Sequence, residues 1–185
     1  ILPDSRKRGY DVKKIIECIV DKDSFFEFKP RFGRTITVGL ARLSGTTVGF
    51  LASNPMGKAG ALDVAGCEKA TGFTVMCDSF NIPLILLVDT PGFVIGIEGE
   101  RAKAPGKIMN FMQALQMCTV PKLAVIMRKT YGQAYLNMGG GRNSDDVAAW
   151  PTAELSFMDP NYATEIVTWG QQATDERKAE IRTQM

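Results

Sequence analysis

"PKLAVIMRKTYGQAYLNM", residues 121–138, decides the fold. "PKLAVIM" is a continuous apolar run closed by Arg128 and Lys129, the pattern of a strand covered on both faces. The chemistry then changes. Gly132-Gln133-Ala134 has small residues at two of three positions, where a helix would start. A buried strand that runs straight into a helix is the repeating step of an α/β protein with crossover connections. The same step stands upstream, where the apolar run "PLILLVDT" (83–90) stops at Pro91-Gly92-Phe93.

Working outward, "RTITVGLARLSGTTVGFLAS" (34–53) holds two β-rich runs around Ser44-Gly45 and reads as a hairpin. "YDVKKIIECIVDKDSFFEF" (10–28) spaces Val12, Ile15, Ile16, Ile19 and Val20 as one face of a short helix. "ALDVAGCEKATGFTVMCDSFN" (61–81) predicts a second helix ending near Asn81. A third is expected from about Glu98 to Cys118, with Ile108, Phe111, Met112, Leu115 and Met117 on its apolar side. Pro105 either kinks that helix or marks its true start. "WPTAELSFMDP" reads as a short strand, and "PNYATEIVTWG" as a short helix with a glycine stop. The alternation from Arg34 onward predicts one α/β domain over residues 1–185.

The composition excludes several function classes. With 22 basic and 20 acidic residues the net charge is +2, too balanced for nucleic acid or an anionic membrane as main partner. No apolar run reaches membrane-span length, and no signal peptide is visible. Cys18, Cys67, Cys77 and Cys118 have no CxxC spacing and read as buried thiols of a reducing compartment, not as a disulfide frame or zinc site. The chain has no histidine, which removes Ser-His-Asp and Cys-His catalysis and most transition-metal sites. An enzyme built this way must work through backbone dipoles, carboxylates, Lys, Tyr or a cofactor carried elsewhere. A start at Ile1 and a polar end, "QQATDERKAEIRTQM", suggest a segment of a longer polypeptide, with a processed mature chain as the alternative.

Both strand-ending loops can carry chemistry. Pro91 fixes a turn and Gly92 lets the backbone expose amides. A helix start at Gly132 would leave three or four amides outward and unpaired, with small side chains leaving them reachable. Two such loops could converge on one oxygen, as an oxyanion hole requires. Each is equally an ordinary strand–turn–helix. "GKAG" (57–60) lacks the Walker spacing and reads as a turn, and Gly139-Gly140-Gly141 as a flexible loop. Asp63, Asp89, Glu98, Glu100 and Glu154 are candidate bases, each also placed for a cap or a strand end. Tyr131 and Tyr135 fit core packing with the hydroxyl bonded at a rim. Arg128 and Lys129 could meet a CoA phosphate or a local carboxylate.

Four blocks together resemble a known family: "FFEFKPRFGRTITVGLARLSGTTVGFLASNP", "GALDVAGCEKATGFTVMCDSFNIPLILLVDTPGF", "VPKLAVIMRKTYGQAYLNM" and "AWPTAELSFM". They are similar to the C-terminal half of the carboxyltransferase (β) subunit of biotin-dependent acyl-CoA carboxylases, of the propionyl-CoA carboxylase type. The resemblance implies a crotonase-like (ClpP/crotonase) ββα superhelix. It also implies that an N-terminal partner domain lies outside this chain and that subunits assemble as a trimer or a dimer of trimers. Acyl-CoA would bind mainly to the N-terminal domain. Biotin, borne by a separate carboxyl carrier and charged by a biotin carboxylase, would meet the C-terminal domain. No metal, nucleic acid or membrane is expected, and the location would be cytoplasmic or, in a eukaryote, the mitochondrial matrix.

The resemblance places an oxyanion hole for the biotin ureido oxygen on the backbone amides of Gly92, Phe93, Gln133 and Ala134. Gly132, Tyr135 and Leu136 become substrate-binding positions. In such a family the ureido anion left by carboxybiotin takes the α proton of the acyl-CoA, which suits a chain without histidine. Many propionyl-type members have a small residue at the Gln133 position and an acid at the Leu136 position, so the acyl chain stays open. "VIGIEGERAK" after the turn also departs from the common "LPGTxQE". The alternatives are a stand-alone crotonase-type decarboxylase or hydratase, and a non-catalytic assembly half-domain.

Overall fold

The computed structural model describes residues 1–3, 5, 6, 8–169 and 175–184. Helix α1 (Val12–Ile19) and the short strand β1 (Phe26–Phe28) lead into the hairpin β2 (Ile36–Leu43) and β3 (Thr46–Ser53). Ser44 and Gly45 turn it with φ of 50° and 81°, the two positive values a tight two-residue turn needs. The Asp21 carboxylate accepts the N–H groups of Ser44 and Gly45 at 2.9 and 2.8 Å and fixes the turn from outside.

Helix α2 (Val64–Ser79) follows, capped by Asp63, whose carboxylate accepts the Gly66 N–H at 2.8 Å. The helix ends at Ser79 instead of near Asn81, because Asn81 takes a left-handed φ of 55°. Then come β4 (Leu84–Thr90), α3 (Ile97–Arg101), α4 (Ala104–Met117), β5 (Lys122–Tyr131), α5 (Gly132–Asn137), β6 (Asp146–Ala149), β7 (Glu154–Ser156), α6 (Pro160–Val167) and α7 (Asp175–Gln184).

Among the described residues the strands form one mixed sheet in the order β1-β2-β3-β4-β5-β6, with β7 also pairing β5. The β1-β2-β3 pairs are antiparallel, and β3-β4-β5 and both partners of β5 are parallel. Residues 123–126 of β5 pair β6 and residues 129–131 pair β7. Successive strand residues feed opposite faces. Leu51, Leu86 and Ile126 join a core with Phe73 of α2 and Phe111 and Leu115 of α4. Phe50, Leu87 and Met127 join a second core with Tyr10, Val12 and Ile16. The central strands are covered on both sides, which is why their sequences are continuously apolar.

Several expectations are corrected. The helix expected over 98–118 is two helices, broken where Lys103 adopts a left-handed φ of 58°, and Pro105 lies in the first turn of α4. Proline fits there because that N–H has no helical partner. Met117 is 79% exposed and off the apolar side. Strands β1 and β6 and helix α7 add to the expected order. The glycine stop after α6 falls at Gly170, outside the described residues. Of the four thiols, Cys18 is exposed and the other three are buried. Among the described residues no helix is long and apolar enough to cross a membrane.

Candidate functional site

Strands β4 and β5 lie side by side and parallel, so both loops leave from the same edge of the sheet, where α/β proteins place ligands. The first loop is held from two sides. The Thr90 hydroxyl donates to the Gly92 carbonyl at 3.2 Å and accepts the Gly92 N–H at 3.3 Å. The Leu62 N–H donates to the Gly92 carbonyl at 2.9 Å, and the Val94 N–H to the Leu62 carbonyl at 2.8 Å. Leu62 thus bridges Phe93 in parallel fashion. In that pattern the intervening Phe93 N–H faces the other way, and among the described residues it meets no acceptor. Gly92 has φ +138°, with open space where a side chain would begin.

The second loop turns at Gly132, whose φ is +57°. A Cβ there would stand 3.0 Å from the Phe157 carbonyl oxygen, so glycine is required twice over. Helix α5 begins at once, with no side chain capping it. The Gln133 and Ala134 amides belong to its first turn, where no i−4 carbonyl exists within the helix.

The two loops face each other across a cavity of about 400 Å³, within the usual range for small-ligand sites. Gly92, Phe93, Gly132, Gln133 and Ala134 line it together with Phe157, Met158, Asp159 and Tyr162. Tyr135 and Leu136 are not in the lining. Tyr135 packs against the core of α2 and α4, and its ring lies on Gly140, leaving no room for a Cβ there. Leu136 is 38% exposed and lies against Gly141. Gly139 and Gly140 are buried and packed, so this is no loose loop. The Gln133 side chain is exposed, with its amide nitrogen 3.9 Å from the Met109 sulfur.

Behind the cavity lies a charge cluster. Asp89 is fully buried, and one carboxylate oxygen accepts hydrogen bonds from the Tyr10 hydroxyl at 2.9 Å and Arg128 Nε at 3.0 Å and forms an ion pair with Arg128 Nη2 at 2.9 Å. Its other oxygen accepts the Lys129 N–H at 3.2 Å, with Lys129 Nζ at 3.9 Å. Arg128, 3% exposed, also stacks on the Tyr10 ring. Arg128 and Lys129 therefore serve a local carboxylate and are not open to a CoA phosphate. Burial pushes the Tyr10 hydroxyl pKa up, with Asp89 adding to it, and pushes the Lys129 amine down against the pull of Asp89.

Nearer the cavity, the Tyr131 hydroxyl donates to Glu154 at 2.6 Å, and burial followed by Glu154 raises its pKa. Arg6 reaches Glu154 at 2.9 Å and Asp159 at 3.5 Å. Asp159 in turn caps α6 by accepting the Asn161 N–H at 2.8 Å. The other candidate bases are accounted for locally. Asp63 caps α2 and pairs with Lys58 at 2.8 Å, which also disposes of the "GKAG" lysine. Glu98 is exposed beside Arg101, and Glu100 is exposed. Sequence reasoning missed Arg6, Tyr10 and the Phe157–Tyr162 wall. The one signal available was the pair of opposite charges, Asp89 and Arg128, at the ends of adjacent apolar strands.

Comparison with known proteins agrees with this architecture. A model of the carboxyl transferase domain matches residues 1–185. The biotin-dependent acetyl-/propionyl-coenzyme A carboxylase beta6 subunit of Mycobacterium tuberculosis is 41% identical over 90% of this chain and 36% of its own length. The mitochondrial propionyl-CoA carboxylase beta chain of Sus scrofa is 39% identical over 97% of this chain and 34% of its own. The chain thus spans about a third of the curated relatives it matches. The transcarboxylase 12S hexamer structure, with methylmalonyl-coenzyme A and methylmalonic acid bound, superposes over the whole chain. The TM-score is 0.93 at 36% identity, covering 36% of that protein. A single-chain long-chain acyl-CoA carboxylase gives 0.89 at 33% identity, with 19% of its chain covered. The α/β crotonase-like fold implied by the four blocks is the fold of these neighbours. This chain belongs to the carboxyl transferase domain family.

Proposed function

We propose that the chain is the C-terminal-type domain of a carboxyltransferase that moves a carboxyl group from carboxybiotin to the α carbon of an acyl-CoA. The observation that carries this is the convergence of two strand-ending loops on one cavity, each presenting backbone amides. Bound biotin supplies the transferable carboxyl group and a ureido oxygen that gains negative charge when the group leaves. The chain's own contribution is to receive that charge. The Phe93 N–H on one wall and the Gln133 and Ala134 N–H groups on the other are donors fixed by backbone, at no cost of reorientation during reaction. The Gly92 N–H is weaker in this role, because Thr90 already occupies it at 3.3 Å.

The cavity fits the group. About 400 Å³ accommodates a fused bicyclic head, and Phe93, Phe157 and Tyr162 offer it apolar surface. Tyr135 and Leu136 lie outside the lining and would act on ligand choice only from the second layer. The acyl-CoA would be held mainly by an N-terminal-type domain, in a homo-oligomer served by a biotin carboxyl carrier and a biotin carboxylase. A location where those partners work, cytoplasm or mitochondrial matrix, follows from the same reading.

The test uses the full-length protein and measures carboxyl transfer between carboxybiotin and acetyl-CoA or propionyl-CoA. Gln133→Ala keeps the N–H and should leave the rate nearly unchanged. Gln133→Pro removes it and should lower kcat by about 100-fold. Equal rates in the two variants would sink the role of that amide.

A further inference from the structure

Three acids and three bases stand together behind the cavity: Asp89, Glu154 and Asp159 against Arg128, Lys129 and Arg6. Asp89 has two cations, Arg128 at 2.9 Å and Lys129 at 3.9 Å. Asp159 and Glu154 are the acids tied to the cavity lining. Asp159 itself lines the cavity, and Glu154 backs it through the hydroxyl of the lining residue Tyr131. Both carboxylates share one cation, Arg6, at 2.9 and 3.5 Å.

Arg6 is not part of the sheet or of any helix. It lies in the segment leading to α1, and the segment's backbone is fastened to β5. Arg128 Nη1 donates to the Ser5 and Arg8 carbonyls at 3.0 Å each, and Lys129 Nζ to the Arg6 carbonyl at 3.3 Å. The two residues that neutralise Asp89 also hold the backbone that delivers Arg6. The Arg6 side chain then crosses to Tyr131, Glu154 and Asp159, joining the end of β5, β7 and the N-terminus of α6.

We propose that Arg6 is the positioning and charge-balancing residue of this cavity: it keeps two carboxylates from opposing the negative charge that the amides of Phe93, Gln133 and Ala134 receive. The proposal rests on the carboxyltransferase reading of the site. Without Arg6, two partly buried carboxylates leave a net negative charge beside the cavity, where solvent screens the repulsion only in part. The same loss unties Asp159 from Glu154 and leaves Glu154 on the Tyr131 hydroxyl alone, and the Tyr131 backbone leads directly into the Gly132 turn.

The experiment compares variants of the full-length protein in the carboxyl-transfer assay, with thermal melts to confirm folding. Arg6→Met should lower kcat about tenfold, with KM for acyl-CoA within about twofold of wild type. Arg6→Lys retains the charge and should stay within about threefold. The deciding arm is Arg6→Met with Glu154→Gln, which deletes one charge of each sign and should recover most of the lost rate. A strut of purely structural value predicts the opposite, because the double variant has lost two partners. Glu154→Gln on the wild-type background preserves the hydrogen-bond acceptor and should transfer at the wild-type rate or faster. It decides the matter even if Arg6→Met fails to fold. A folded Arg6→Met at full rate, a double variant no faster than the single, or a tenfold fall in Glu154→Gln would overturn the proposal. A wild-type protein that transfers no carboxyl group would overturn the parent reading as well, so the two failures are distinct.

Discussion

Replacing Arg128 by methionine tests whether the buried charge cluster holds the sheet edge under the cavity. Arg128 donates one hydrogen bond to Asp89, forms an ion pair with it through Nη2, and donates two hydrogen bonds to the carbonyls of Ser5 and Arg8. Methionine fills most of the volume but donates nothing. Asp89, with no exposed surface, would keep only the Tyr10 hydroxyl, the Lys129 N–H and a lysine amine at 3.9 Å. Removing one partner of a buried ion pair costs about 3–5 kcal/mol, because the remaining charge is stranded. For a domain of this size unfolding as its own unit, that is a fall of roughly 6–20 °C in the Tm of its transition. The assay is thermal and urea unfolding of the full-length protein followed by circular dichroism. Pairing Arg128→Met with Asp89→Asn removes the stranded charge and should restore part of the loss. A single variant within about 1 kcal/mol of wild type would refute the reasoning. So would a double variant less stable than the single, since the cost would then lie in packing and not in charge.

Three further outcomes follow from the structure. Gly132→Ala forces a side chain into a left-handed φ and against the Phe157 carbonyl, so it should cost about 1–2 kcal/mol and depress carboxyl transfer more than stability predicts. Asp63→Ala should cost about 1 kcal/mol at neutral pH through loss of the α2 cap. Burial raises the Asp63 pKa, but Lys58, the Gly66 N–H and Thr35 outweigh it and leave it lowered. Its contribution is therefore present above the unfolded carboxylate value and is lost as pH falls through the lower folded value. The wild-type and variant unfolding curves should converge in acid below about pH 4. Finally, a thiol reagent should modify Cys18 quickly in the native protein, and Cys67, Cys77 and Cys118 only on unfolding. Burial lifts the Cys67 and Cys77 pKa to about 12.

Much of the fold was legible where one residue pattern admits one structure. The Ser44-Gly45 turn and the apolar runs that became β4 and β5 are of this kind, since a doubly covered strand has few sequence disguises. Reading failed where tertiary contacts override local preference. Nothing in Lys103 announces a left-handed residue, so Pro105 alone signalled the α3–α4 break, and it left a kink and a true helix start both open until the structure showed the start. Strand β6 is four residues long, with exposed or half-buried side chains, and exists because β5 offers it an unpaired edge. The loops of the candidate site were visible as small residues after buried strands, yet their convergence depends on β4 and β5 being neighbours. The wall opposite them could not be read from Phe157 or Tyr162 in isolation. The segment before α1 carries no periodic signal at all. Its place is set by carbonyl groups meeting Arg128 and Lys129, and backbone acceptors have no signature in sequence.

The two backbone hydrogen bonds between Leu62 and the Gly92–Val94 turn give the cavity walls of unequal stiffness. On that side the turn is tied by backbone to the segment that starts α2, so displacing it means disturbing a helix rooted in the main core. On the other side stand a three-residue strand and α6, where Thr164 is the buried residue and Tyr162, Ile166 and Val167 are exposed. Local opening begins where few apolar groups are buried. A bulky ligand would be admitted more readily by movement of the α6 wall than by movement of the turn that Leu62 ties.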